Sequence, residues 1–133
     1  MAEPVVIVVP LDINRLSPNA RMHHLERARR TKVARAAARL AWTRAGEPVI
    51  AGPVEVSLLV RRERTIDRVN ALLGWKAAED GLCNRRKNGY GVVEDDSAKF
   101  VRYGTVEFET GKRWRGREEV VVFIRPLENI DAG

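Results

Sequence analysis

The sequence predicts a single α+β domain with the element order β-α-β-α-β-β, in which a four-stranded mixed sheet packs with two helices. Its 133 residues have the length of one domain. Short β-branched runs bounded by turn residues predict the strands, and two longer segments have the apolar spacing of helices. We expect the core to span about residues 5–125, with a loosely held tail at 126–133.

The first strand and first helix come from the N-terminal third of the chain. Val5 to Val9 is a β-branched run that Pro10 closes, and residues 11–19 have the composition of a loop. A helix is predicted from Ala20 to about Ala45, before Gly46. Its apolar stripe is predicted to consist of Val33, Ala36, Ala37, Leu40 and Ala41. A basic stripe beside it comprises Lys32, Arg35 and Arg39.

The remaining elements follow from the same patterns. Strands are predicted over 54–60, 100–109 and 119–125, and the second helix over 69–82. Residues 84–91 read as a polar loop and residues 111–117 as a basic turn. Cys83, near the end of the second helix, is expected to be semi-buried.

Composition favours a protein of the cytoplasm. Hydrophobic residues make up 44% of the chain and charged residues 32%, and no apolar run approaches the roughly 20 residues of a membrane span. The acidic start and the short apolar run after it do not resemble a signal peptide. A single cysteine, Cys83, excludes an intramolecular disulfide, which fits a reducing compartment.

The positive charge is concentrated in the first third of the chain. The net charge is +6, and residues 1–46 carry nine Arg or Lys against three Asp or Glu, whereas the remainder balances at 15 against 15. A localised basic surface suggests a polyanionic partner, nucleic acid above all. The alternative interpretation is an arginine-rich helix that is simply solvated.

Two acidic segments stand out in this basic chain. The first contains Asp67 and, nine residues later, Lys76 followed by Asp80; the second contains the pair Asp95 and Asp96. Carboxylates that converge repel one another unless a divalent cation neutralises them, and Mg²⁺ prefers oxygen ligands. If the second and third strands are neighbours, these carboxylates could lie together.

Each acidic residue also has a purely structural interpretation. Asp67 could cap the second helix, since Asp is a favoured N-cap residue. Asp95 and Asp96 could form an ordinary turn before a strand. Lys76 and Asp80 stand four residues apart and could be a surface ion pair worth about 0.3–0.5 kcal/mol.

Taken in order, these segments resemble the RusA family of Holliday-junction resolvases, including its phage and prophage relatives. The family pattern is Asp-x-Asp-Asn, then a Lys and an Asp one helical turn apart, then an Asp-Asp pair before a strand. Asp67 and Asn70 match the first element, Lys76 and Asp80 the second, and Asp95 and Asp96 the third. The segment from Pro10 to Arg15 is similar to the opening that follows the family's first strand. The resemblance spans about residues 5–125.

The resemblance implies structure-selective, paired nicking of four-way DNA junctions by a homodimer with Mg²⁺, for which Mn²⁺ substitutes. A two-fold dimer would present two sites in the relation that paired nicks require. The implied catalytic residues are Asp67, Lys76, Asp80 and Asp96. The implied metal ligands are Asp67, Asp80, Asp95 and Asp96. Lys76 would stabilise the transition-state charge or position the scissile phosphate; otherwise it is a helix surface residue.

Val69 stands where the family has its second Asp. This difference keeps open an alternative, a catalytically weakened or inactive relative that only binds branched DNA. A third hypothesis, from the Arg-rich helix, is an RNA-binding domain.

Three basic regions are candidates for DNA contact, and the resemblance adds Asn70. Phosphate contact through such cations would not depend on base sequence. The third region places an aromatic residue, Trp114, among cations, which suits stacking or wedging at a crossover, although Trp114 could instead pack on its own sheet. The candidates are Asn14, Arg15, Asn19, Arg21, His24, Arg30 and Arg35; Arg85, Arg86 and Lys87; and Lys112, Arg113, Trp114 and Arg115.

Overall fold

A computed structural model describes residues 3–16 and 23–127 of the chain. Within these ranges no helix is long and apolar enough to span a membrane. The strands are β1 (Val5–Val9), β2 (Val54–Arg62), β3 (Val101–Thr110) and β4 (Glu119–Pro126). The helices are α1 (His24–Arg44), α2 (Arg68–Ala78) and the single turn α3 (Arg85–Asn88). Short 3₁₀ turns cover Ile13–Leu16, Glu79–Gly81 and Lys112–Trp114.

The four strands form one mixed sheet in the order β1-β4-β2-β3. β4 is antiparallel to both β1 and β2, whereas β2 and β3 are parallel, with Val54 opposite Val101 and Arg62 opposite Thr110. The predicted α+β class, with a four-stranded mixed sheet and two main helices, is therefore confirmed. Strands two and three are neighbours, as expected, but their parallel direction has a consequence for the site.

The parallel pair decides where the ends of α2 lie. A chain that leaves one strand and enters its parallel neighbour must first return along the whole sheet, and α2 makes that crossover. The start of α2 therefore lies near the end of β2, and the end of α2 lies near the start of β3. β2 has nine residues, so these two sheet edges are about 30 Å apart at about 3.3 Å per residue.

The predicted apolar stripe of α1 is wrong in part. Its buried residues are Ala34, Ala38, Ala41 and Trp42. Val33 and Leu40 are instead 63% and 49% exposed. The reason is a close approach: a Cβ atom on Gly81 would lie 2.5 Å from the backbone oxygen of Arg35 and 2.7 Å from the Cβ of Ala38. Only alanine-sized side chains fit a helix so near the chain that follows α2.

The other differences from the sequence expectations are local. α2 ends at Ala78, earlier than predicted, and a 3₁₀ turn carries the chain to Gly81. The predicted loop over 84–91 contains the single turn of α3. Cys83, expected to be semi-buried, is fully buried, and burial raises the pKa of its thiol. A buried thiol at that position belongs to the core.

Candidate functional site

Acidic and basic side chains meet in a small cavity at the junction between the end of α2 and the segment before β3. The cavity has a volume of about 420 Å³. Its lining residues are Lys76, Glu79, Asp96, Ala98, Val101 and Tyr103. The crossover through α2 brings these residues together, although 20 positions separate Lys76 from Asp96 in the sequence.

Asp96 lines this cavity, and two further predicted carboxylates, Asp80 and Asp95, are near enough to affect its pKa. The pKa of Asp96 is raised, first by partial burial and then by the negative charge of Asp80. The neighbouring carboxyl of Asp95 raises the pKa of Asp96 further. Asp80, Asp95 and Asp96 therefore form a cluster in which each negative charge makes the others more costly. We call these three residues the carboxylate cluster.

The Asp80 carboxylate is also bound by one cationic side chain and one neutral side chain. The Asp80 Oδ2 atom lies 3.3 Å from Arg35 Nη2, and its Oδ1 accepts a 3.4 Å hydrogen bond from the Asn84 side chain. The Asp80 side chain is 25% exposed, so its contacts are partly shielded from water. Arg35 thus connects the basic face of α1 with the carboxylate cluster.

Glu79 is the most perturbed carboxylate in the cavity. Only 4% of the residue is exposed, and burial raises its pKa to about 7, with the charge of Asp96 adding to the rise. The Tyr103 hydroxyl donates a hydrogen bond to Glu79 Oε2, which together with Lys76 lowers that pKa in part. The Trp75 indole N–H also lowers the pKa of Glu79, although it makes no hydrogen bond.

Sequence reasoning missed Glu79, although the pattern contained a signal for it. The buried positions Ala71, Trp75 and Ala78 follow the i, i+4, i+7 spacing of one helix face. Glu79 occupies the next position of that face, i+8, where an apolar residue is expected. A carboxylate on the buried stripe of a helix is a candidate functional group, because burying a charge is costly without a purpose or a partner.

Lys76 lies at the mouth of the same cavity. Lys76 is exposed to solvent, and its Nζ atom is 5.5 Å from the centroid of the Tyr103 ring. It stands three positions before Glu79 on the helix, and its positive charge lowers the pKa of Glu79. This placement leaves an ammonium group free to meet an anion that approaches the carboxylate cluster.

The structure does not bring Asp67, predicted to share a metal with Asp80 and Asp96, to this cavity. It is the N-cap residue of α2: its carboxylate accepts hydrogen bonds from the Asn70 backbone N–H at 2.7 Å and the Asn70 side-chain amide at 2.9 Å. The thirteen positions between Asp67 and Asp80 correspond to about 20 Å along a helix axis. Asn70, predicted to contact DNA, is occupied in this cap.

The carboxylate cluster suits Mg²⁺ by its chemistry. Mg²⁺ commonly takes one or two carboxylates and completes its shell with water and phosphate oxygens. Asp80 and Asp96 offer two adjacent carboxylates whose repulsion a cation would relieve. Across residues 3–16 and 23–127, no three His, Cys, Asp or Glu side chains are grouped so as to hold one metal ion between them. The residues therefore fit a cation with two protein carboxylates, not a complete cage of protein ligands.

The basic turn between β3 and β4 folds back on its own sheet. Trp114 is half-buried between two guanidinium groups, with its ring centroid 5.0 Å from Arg61 and 5.3 Å from Arg113. Arg115 makes two hydrogen bonds to Glu63, at 2.7 and 2.8 Å. The interpretation of Trp114 as a residue that packs on the sheet is favoured over that of a projecting wedge. Lys112, at the same turn, is exposed.

The three cations of the segment after α2 differ in how far their side chains are engaged by contacts within the protein. Arg85 donates to the Val92 carbonyl at 2.7 Å and thereby holds its own loop together. The Arg86 guanidinium lies 4.8 Å from the centroid of the Phe100 ring. Lys87 is exposed. Of these three predicted DNA contacts, Lys87 is therefore the most available to a ligand.

The N-terminal candidates border a groove of about 800 Å³ between α1 and the strand ends. Arg15 and Arg30 line this groove, and Arg30 is paired with Glu26 at 2.8 Å. His24 begins α1 and is exposed, with its ring 4.2 Å from that of His23. Asn14 lies in the 3₁₀ turn before α1, where its backbone N–H donates to the Asp12 side chain. Two further candidates, Asn19 and Arg21, lie outside the described residues.

Comparison of the chain with models of known protein families, with curated proteins and with solved structures found no match. The assignment of function therefore depends on the sequence pattern and on the geometry of the site.

Proposed function

We propose that the protein is a Mg²⁺-dependent endonuclease that resolves four-way DNA junctions by paired nicks. The observation that carries the proposal is the convergence of Asp80, Asp95 and Asp96 beside Lys76, within a chain of net charge +6. Carboxylates suit a divalent cation, a free ammonium suits a phosphate, and basic surface suits the DNA backbone. The resemblance to resolvases of the RusA family agrees with this combination.

In this proposal the negatively charged residues bind the metal ion and the positively charged residue binds the phosphate. Asp80 and Asp96 would hold the cation, with Asp95 supporting Asp96 from beside it. When bound, Mg²⁺ supplies a Lewis acid and a water of lowered pKa for attack on the phosphodiester. Lys76, which lines the same cavity, would stabilise the negative charge that develops on the scissile phosphate. Tyr103, hydrogen-bonded to Glu79, forms the part of the cavity wall over which the Lys76 ammonium lies.

A homodimer follows from the proposed reaction. Two nicks placed symmetrically on a junction call for two sites related by a two-fold axis. β1 is an edge strand with uncharged β-branched residues, and its Val6 and Val8 are 46% and 45% exposed. Such an edge is normally protected, so a partner copy covering it agrees with the proposal. Sedimentation equilibrium would measure the mass in solution.

The first experiment is a cutting assay on a labelled synthetic four-way junction, with Mg²⁺, with Mn²⁺ and with EDTA. Paired nicks that require metal, and that are absent from a linear duplex of the same sequence, are the expected result. Asp96→Asn serves as the control for a contaminating nuclease. If the wild-type protein and Asp96→Asn cut the junction equally, the proposed site is wrong.

A second candidate is a protein that binds branched DNA without cutting it. The observation that favours it is that no three-donor group is present in the described part of the chain. Val69, which replaces an acid of the family pattern, is 64% exposed near the start of α2, so this replacement removes no carboxylate from the cluster. Tight junction binding without nicks in either metal would establish this candidate in place of the first.

A further inference from the structure

A basic feature that joins two of the predicted DNA contacts, Arg35 and Lys87, to further cations of α1 adjoins the carboxylate cluster. It is a trough of about 540 Å³ between one face of α1 and the segment after α2. We call it the α1 trough. Its lining residues are Ala28, Lys32, Arg35, Ala36, Arg39, Asp80, Lys87, Asn88 and Tyr90.

Helical spacing builds one wall of the α1 trough. The α1 residues in its lining, from Ala28 to Arg39, are separated by steps of three, four or one, so they share one helix face. The alanines on this face leave room between the long cationic side chains. Lys32 and Arg39 are seven positions apart, which spaces their Cα atoms about 10 Å along the axis. That length corresponds to about three nucleotides of one strand, at 3.4 Å each.

The charge of the α1 trough is strongly positive. Four cations line it, and Asp80 is the one carboxylate among its lining residues. The Arg35 guanidinium bridges to Asp80 at 3.3 Å and donates from Nε to the Ala77 carbonyl at 3.2 Å. Arg35 is therefore fixed at the point where the trough meets the carboxylate cluster, while Lys32 and Lys87 are exposed.

The aromatic residue of the trough is already covered, which indicates what kind of ligand the trough suits. The Arg39 guanidinium lies 4.1 Å from the centroid of the Tyr90 ring, and Trp42 packs against the same ring at 6.0 Å. A base could stack on Tyr90 only by displacing one of these contacts. The trough thus offers charge for phosphates and not an open surface for bases.

We infer that the α1 trough binds the phosphate backbone of the DNA strand that flanks the cleavage site, independently of base sequence. This inference rests on the proposed function for its ligand, because the trough leads directly to Asp80 and the carboxylate cluster. An acidic polypeptide would meet the same charges, and competition by polyglutamate distinguishes it from DNA.

The test is DNA binding in EDTA, measured by fluorescence anisotropy on a four-way junction across a range of salt concentrations. The trough variant carries Lys32→Gln, Arg39→Gln and Lys87→Gln. The matched control carries Arg44→Gln, Arg64→Gln and Arg117→Gln, which are exposed residues outside the trough with the same loss of charge. We expect the trough variant to bind about tenfold more weakly at 100 mM salt and the slope of log affinity against log salt to fall by about 2.7, at about 0.9 per lost phosphate contact.

Several outcomes would overturn the inference. Equal losses in the trough and control variants would mean that only net charge matters, and an unchanged trough variant would mean that the backbone runs elsewhere. Competition by polyglutamate as effective as by unlabelled DNA of equal charge would identify an acidic-polypeptide site instead. If Arg39→Gln lowers the melting temperature because it releases Tyr90, the double variant Lys32→Gln/Lys87→Gln carries the test, with an expected slope change of about 1.8.

The same proteins separate this inference from the proposed function. Wild-type protein that does not cut in Mg²⁺, together with selective loss of binding in the trough variant, would retain the trough and reject the nuclease. Metal-dependent cutting by the wild type, together with equal binding of trough and control variants, would reject the trough and retain the nuclease.

Discussion

Both ends of α2 carry carboxylates, but those at its start stabilise the helix whereas those at its end are buried or close to one another. At its start, Asp67 caps the helix and binds Asn70 through two hydrogen bonds. At its end, Glu79 is buried and Asp80 lies beside Asp96, so the pKa values of Glu79 and Asp96 are raised. Both ends match the same family pattern in the sequence, yet about 20 Å of helix separates them.

The energetic cost of the charges differs between the two ends of α2. A capping Asp typically contributes about 1 kcal/mol to stability and needs no other role. A buried carboxylate and a group of converging carboxylates cost stability. Proteins retain such costly arrangements mainly at functional sites. The end of α2 that destabilises the fold is therefore the better candidate for chemistry.

The largest expected effect is on cutting, from removal of one charge of the carboxylate cluster. Asp96→Asn should reduce the rate of junction cutting about a thousandfold, because it removes a ligand of the proposed cation. The same substitution at the other end, Asp67→Asn, preserves the cap because Asn caps helices as well as Asp. We expect Asp67→Asn to cut within about threefold of the wild-type rate. Equal losses in both variants would contradict the division between the ends.

The next effect concerns stability and its dependence on pH. The pKa of Glu79 is about 7 in the folded protein, against an ordinary value of 4.5. Because the pKa is raised in the folded protein, ionising the buried carboxyl destabilises the fold. This destabilisation is absent below pH 4.5, grows as pH rises and is complete above pH 7. Glu79→Gln should therefore be more stable than the wild type at pH 8, by about 3 kcal/mol as an order of magnitude. Urea unfolding in EDTA measures it.

The control for Glu79→Gln is the same measurement at lower pH. Near pH 4.5 the wild-type carboxyl is largely protonated in the folded state and partly so in the unfolded state, so the advantage of Gln should shrink to a small value. A constant difference between the two proteins from pH 4.5 to pH 8 would mean that Glu79 does not carry the raised pKa.

An intermediate effect on cutting is expected at Lys76. Lys76→Met keeps the length of the side chain and removes its charge, and it should slow junction cutting about thirtyfold because the developing phosphate charge loses a partner. Junction affinity in EDTA should change less than threefold, since one exposed cation among 24 Lys and Arg residues is lost. A loss of affinity as large as the loss in rate would assign Lys76 to binding instead.

The smallest effect is the energy of the cap itself. Asp67→Ala should lower the free energy of unfolding by about 1 kcal/mol, because it leaves backbone N–H groups at the start of α2 without an acceptor. Asp67→Ser, which retains a capping oxygen, should recover most of that loss. Thermal or urea unfolding of the three proteins measures the series, and a large loss of cutting in Asp67→Ser would return Asp67 to the active site.

Sequence patterns predicted the elements well and their mutual placement less well. The β-branched runs located all four strands to within about two residues, because alternation and turn residues are local signals. The pattern of α1 failed at Val33 and Leu40, because the close approach at Gly81 selects alanine for the buried face. Local hydrophobicity cannot predict how closely α1 approaches Gly81, which follows Ala38 by 43 positions.

The residue types of the candidate site could be predicted from the sequence, but not which of them lie together, because that depends on how the strands pair. Lys76, Asp80, Asp95 and Asp96 were identified from their order in the chain, and the structure brings them to one cavity or its border. Asp67 was grouped with them by the family resemblance, and the expected pairing of strands two and three could have brought them together. They are neighbours, but a parallel pair places the end of one strand and the start of the next at opposite edges.

The strands, the two main helices and the kinds of chemical groups available follow from local periodicity and residue type, so they can be predicted from the chain alone. The direction of β3 relative to β2, the burial of Glu79 and the contact between Arg35 and Asp80 are known only from the folded structure. Each of these depends on how distant segments pack, and packing sets both the distance between charges and their separation from water. Those two quantities distinguish a capping carboxylate from a reactive one.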